Sequence, residues 1–125
     1  MSNKDQLASQ IADSLNSKFK GQKIAYFLDG SHETPTDIGE FISTGSSILD
    51  LAISNRPDCG LAVGRITELN GLEGSGKSLI GAHALADTQR QGGVAVYIDT
   101  ESAVSPDYLQ AIGVDTQNML SLIHI

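Results

Sequence analysis

The chain has 125 residues, 40% of them hydrophobic and 18% charged, which suits one modest globular, soluble domain. A single cysteine, Cys59, excludes an internal disulfide framework and a cysteine-built zinc site. The net charge is −7, and residues 24–125 carry four basic groups against thirteen acidic ones, so a general DNA-gripping surface is excluded and any DNA site is local or lies outside this chain. No apolar run approaches the ~18 residues that a membrane helix needs. The opening MSNKDQLASQIADSLNSKF is too polar for a secretory signal. The expected compartment is the cytoplasm, with no membrane partner.

Along residues 5–19, Leu7, Ile11, Leu15 and Phe19 recur at i, i+4 spacing and predict a helix with one narrow apolar stripe. That stripe needs a cover, either the chain's own core or a neighbouring subunit. Residues 23–28 (KIAYFL) have strand character, and residues 29–40 (DGSHETPTDIGE) read as a polar, turn-rich linker with a boundary near residue 40. His32 in that linker reads as a solvated loop residue and not a metal ligand.

Residues 46–53 (SSILDLAI) predict a short helix capped by Ser46 or Ser47. Residues 55–64 form a loop, in which Cys59 sits at a Pro-Asp-Cys-Gly turn as an incidental thiol. Residues 65–69 (RITEL) alternate and predict a strand. Residues 78–91 predict a helix ended by Gly92 and Gly93. Residues 94–98 (VAVYI) predict a strand buried on both faces. Residues 106–112 predict a helix opened by proline, and residues 119–125 the start of another strand. This order of strands and helices is that of a parallel α/β sheet.

Residues 71–78 (GLEGSGKS) satisfy G-x-x-x-x-G-K-[ST] at every fixed position, with a predicted strand entering and a predicted helix leaving. Gly71, Gly74 and Gly76 let the backbone close around an anion. The N–H groups of Leu72, Glu73, Ser75 and their neighbours then point inward as a nest, at the positive end of a helix that continues through Leu79. Lys77 is expected to reach the β- and γ-phosphates and the Ser78 hydroxyl to ligate Mg²⁺. The Glu73 side chain has no required role and reads as solvated.

A second cluster, IDTE at 98–101, places two carboxylates at the C-terminal edge of a strand, where open α/β sheets bind ligands. Asp99 is either a magnesium-associated acid of a Walker B type strand or a support for a working Glu101; simple capping is the plainer alternative.

Three blocks in order, ISTGSSILDLAI (42–53), GRITELNGLEGSGKS (64–78) and YIDTESAVSPDYLQAIGVD (97–115), resemble the opening of the RecA recombinase core, the last block most nearly phage recombinases of the UvsX type. The resemblance implies an α/β, RecA-like P-loop NTPase core over 41–125, a parallel sheet with flanking helices, preceded by an N-terminal helix–strand arm and linker over 1–40 that joins subunits into a filament. It implies ATP and Mg²⁺ as ligands. It gives Glu101 the role of polarising the attacking water, Lys77 that of a catalytic cation, and Tyr108 a place stacked on adenine. Ser105 departs from the family, which often has an acidic residue there to read the base. The family's true Walker B strand, its nucleotide-sensing glutamine and both DNA-binding loops lie later than residue 125. The chain therefore reads as a C-terminally truncated piece that is itself inactive. Contacts to single- and double-stranded DNA belong to regions it lacks. Residues 120–125 (LSLIHI) also resemble sequencing read-through, so His124 carries no weight. The implied function is DNA-dependent ATP hydrolysis driving strand exchange in recombination and repair. The rivals are another RecA-fold motor, such as a replicative helicase or a RadA-like ATPase, and a non-hydrolysing ATP-binding assembly module.

Overall fold

The computed structural model describes residues 3–19, 21–30 and 34–123. His32, His124 and the end of the expected C-terminal strand lie outside them. The chain divides into two compact units, Met1–Asp37 and Ile38–Ile125.

In the first unit, α1 (Asn3–Lys18) has Asp5 in its first turn and Lys18 in its last, both favourable to the helix dipole. The unit does not cover the apolar stripe: Leu7, Ile11 and Phe19 are each more than half exposed. The strand expected at 23–28 does not form. A side chain takes the place of a neighbouring strand: Asn16 Oδ1 accepts from the N–H groups of Ile24 and Ala25 at 2.9 Å, and Asn16 Nδ2 donates to the Ala25 carbonyl at 3.1 Å. One carboxamide satisfies two residues and cannot propagate a ladder. The linker is turn-rich as expected, with the Asp37 N–H donating to the Thr34 carbonyl and Asp37 Oδ2 accepting from the Thr34 N–H.

The second unit opens with a ladder the residue pattern does not announce. β1 (Phe41–Ile42) runs antiparallel to β2 (Leu61–Ala62), pairing Phe41 with Ala62 and Ile42 with Leu61. Between them, α2 (Ser47–Ser54) is capped by Ser46, whose Oγ accepts from the Leu49 N–H, and ends at Asn55 in the left-handed region. Asp50 of α2 is fully buried and accepts hydrogen bonds from Ser43 Oγ and Thr44 Oγ1 at 2.6 Å and from the Thr44 N–H at 2.9 Å. This network ties α2 to the chain leaving β1.

The α3 helix (Lys77–Arg90) and α4 (Pro106–Ile112) enclose the core, where Ala82 and Ala86 meet Leu109 and Val114. Small alanines on α3 let the helices approach closely. α4 is capped by Ser105 and closed by Gly113 at φ 104°, a backbone state that favours glycine. It connects β3 (Val96–Asp99) to β4 (Leu120–Ile123), which pair in parallel with Val96 opposite Leu120 and Asp99 opposite Ile123. The α/β class and the parallel strand–helix–strand connection agree with the sequence pattern.

Two further expectations fail. Residues 65–69 form no strand, and Ile66 is fully exposed. Alternation supplies a face, but a strand also needs a neighbour to take its N–H and C=O groups, and no described strand pairs with this segment. The strand β3 is not buried on both faces either: Val96 is 46% exposed and Ile98 58%. Its single neighbour is β4, and the described residues place no second layer over those side chains.

Candidate functional site

The glycine-rich turn forms where the pattern places it. Gly74 and Gly76 take φ of 72° and 89°, which a Cβ would strain. The Ser75 N–H donates to the Leu72 carbonyl at 3.2 Å and closes the bend. Gly71 is constrained by space: a Cβ there would stand 2.7 Å from Ser75 Oγ. Gly76 is the N-cap of α3 and provides no side-chain cap, so the first-turn N–H groups receive none. Lys77 curls back over the turn, its Nζ donating to the Gly71 and Leu72 carbonyls at 2.9 Å each. An ammonium held over two carbonyls, beside helix N–H groups without a side-chain cap, fits an oligophosphate: the donors are present, and the ammonium lies beside them.

This turn faces the end of β3 across an open cleft of about 610 Å³. Glu73, Gly74, Lys77 and Ser78 line one side; Tyr97, Asp99 and Glu101 line the other. Lys77 and Ser78 at the start of α3 and Glu101 beyond the end of β3 thus share one space. Gly71, Leu72, Ser75, Gly76 and Leu79 belong to the turn and its helix but do not line the cleft, and Leu72 is 85% exposed. Tyr108, in the first turn of α4, is also outside the cleft lining and 40% exposed.

The two acids of the strand edge differ in environment. Glu101 is exposed. Asp99 is 7% exposed, with Oδ1 accepting from the N–H groups of Glu101 and Ser102 and Oδ2 from that of Val104. Burial pushes the Asp99 carboxyl up, but the backbone donors of Val104, Glu101, Ser102 and Ala103 outweigh it and hold the group below the usual aspartate range.

Tyr97 is the cleft residue that the sequence reading misses. Burial raises its phenol above the ordinary value, and the negative charges of Asp99 and Glu101 add to that effect, so its hydroxyl stays protonated beside the acids. The signal was available in the period of two, which puts Tyr97 and Asp99 on one face of the strand. Two further acids were passed over: the buried Asp50, and Asp87, which accepts from the Ser43 N–H at 2.7 Å and fastens α3 to β1.

Among the described residues no group of three or more histidine, cysteine or acidic side chains is placed to hold a metal ion, and no helix is long and apolar enough to cross a membrane. Magnesium commonly binds through one or two protein oxygens together with substrate phosphates, and the Ser78 hydroxyl in the cleft suits that manner.

The family model of the RecA N-terminal domain matches residues 8–123. Protein RecA of a Nostoc species is 47% identical over 81 residues, covering 65% of this chain and 22% of the relative. Protein RecA of Symbiobacterium thermophilum is 48% identical over 81 residues, 65% of this chain and 22% of the relative. The mitochondrial DNA repair protein recA homolog 3 of Arabidopsis thaliana is 38% identical over 120 residues, 96% of this chain and 26% of its own length. The chain therefore spans about a quarter or less of these relatives. With the matched model extending over nearly all of its length, the chain belongs to the RecA N-terminal domain family.

Proposed function

We propose that this chain is the nucleotide-binding part of an ATP-driven recombinase that assembles on single-stranded DNA and promotes homologous strand exchange in recombination and repair. The observation that carries the reading is the shared cleft: a glycine turn and its lysine face a strand edge that bears an exposed glutamate. Residues 71–79 cradle the phosphates of ATP. Lys77 exchanges its two carbonyl contacts for phosphate oxygens, and Ser78 supplies a hydroxyl for Mg²⁺. Magnesium, when bound, neutralises charge developing on the phosphates. Glu101 accepts a hydrogen bond from the attacking water, and Tyr108 offers a flat face to the base. Residues 1–40 act as the arm that links subunits into an open filament, with the ATPase core beginning at 41. DNA is bound by segments beyond this sequence, in keeping with the acidic balance of residues 24–125. The nearer likeness to phage enzymes of the UvsX type rests on the block at 97–115.

Titration of the 125-residue chain with a fluorescent ATP analogue and magnesium tests the binding step. Saturable binding that Lys77→Ala abolishes is expected; equal binding by both forms would sink the site. Phosphate release by the full-length protein, with and without single-stranded DNA, separates a turning-over ATPase from a module that binds and never hydrolyses.

A further inference from the structure

We propose that Asp99 is a positioning residue for Glu101, holding the 99–104 loop that presents the glutamate to the cleft, and that it does not act as a magnesium ligand. The inference rests on the nucleotide-site reading above. A carboxylate has two oxygens and about four acceptor directions. In Asp99 these are occupied by the loop that follows it. Oδ1 takes the N–H of Glu101 at 3.0 Å and of Ser102 at 2.9 Å, and Oδ2 takes that of Val104 at 3.2 Å. The Ala103 N–H adds a fourth donor. The side chain is nearly buried, so little of it is left to solvent although it borders the cleft. An acid so committed has little acceptor capacity left for a metal or its water shell.

The cost and the purpose of the wrap lie in the next residues. Ser102 adopts φ 54°, a left-handed state that a non-glycine residue keeps only where its surroundings fix it. Two of the Asp99 bonds fall on Glu101 and Ser102 themselves, so the carboxylate fixes the backbone on both sides of the Glu101 carbonyl. Glu101 then lines the cleft opposite Lys77 and Ser78. Asp99 thus acts on catalysis only through where Glu101 points.

The test is steady-state ATP hydrolysis by the full-length protein. Asp99→Asn keeps the shape but replaces one acceptor oxygen by an NH₂ group that confronts N–H donors. A fall in kcat of ~100-fold, approaching the full loss of a general base, is expected with KM for ATP little changed. Ser102→Val reaches the same loop without touching the carboxylate, because a β-branched residue resists positive φ; it should lower kcat in the same way, again with KM held. An Asp99→Asn variant whose KM or magnesium requirement rises as steeply as its kcat falls would mark Asp99 as a ligand and overturn the proposal. Unchanged kcat in both variants would overturn it too. Lys77→Ala distinguishes the deeper failure: if it leaves nucleotide binding intact, the nucleotide-site reading itself has failed, whatever Asp99 does.

Discussion

The Lys77 ammonium lies 2.9 Å from the Gly71 carbonyl oxygen, joining the two ends of the glycine turn. The lysine therefore clasps its own turn. Lys77→Ala should lose both the clasp and the phosphate contact. Charge-assisted hydrogen bonds are worth about 1.5–3 kcal/mol each, so nucleotide affinity should fall by roughly ten- to a hundredfold per lost contact. Isothermal titration with ATP and magnesium measures this. Lys77→Arg should rescue poorly, since a planar fork does not replace a compact point charge.

Gly76→Ala tests the backbone. Residue 76 sits at φ 89° at the entrance to α3, where a Cβ costs roughly 1–2 kcal/mol. The midpoint of chemical unfolding should drop, and nucleotide affinity should drop with it. Gly81→Ala, in the same helix with open space around its Cβ, should be neutral or slightly stabilising and serves as the control.

Stability should depend on acid through Asp50. Burial pushes this carboxyl up, but the hydroxyls of Ser43 and Thr44 and the Thr44 N–H outweigh it, leaving it below the ordinary value of 3.8. A depressed folded value means that the stabilisation is complete above 3.8 and is lost as pH falls through the folded value. Asp50→Asn should cost about 2 kcal/mol at neutral pH, because buried donors lose part of their acceptor. Its unfolding free energy should also fall less steeply below pH 4 than that of the parent, as read from urea titrations at several pH values.

The isolated 125-residue chain should self-associate. Ile66 is fully exposed, Val94 is 82% exposed, and β3 and β4 pair only with each other. Light scattering after size exclusion should show species larger than a monomer, with Ile66→Lys shifting the distribution downward. A monomer with a cooperative thermal transition would defeat this prediction.

Local rules were legible wherever one residue decides the geometry. The Ser46 cap, the proline start of α4 and the glycine turn were readable because each acts within four residues of its own position. The acidic edge of β3 was readable from the end of its apolar run. Strands at 23–28 and 65–69 were not settled by their composition, because pairing is a property of two segments and the second was not in view. β1 and β2 were missed for the opposite reason: two residues each are too short to show a period. Asp50 and Asp87 stand in no recognisable motif, and only the fold turns them inward to serve as acceptors.

Gln89 and Asp115 exchange two bonds, Gln89 Nε2 donating to the Asp115 carbonyl and Gln89 Oε1 accepting from the Asp115 N–H, both at 2.9 Å. They pin the far end of α3, a rod about 21 Å long at 1.5 Å per residue, to the turn that leads into β4. With Ala82 and Ala86 packed in the core and Gln89 fastened, α3 is held through its middle and its far end, while its first turn carries Lys77 and Ser78 to the cleft.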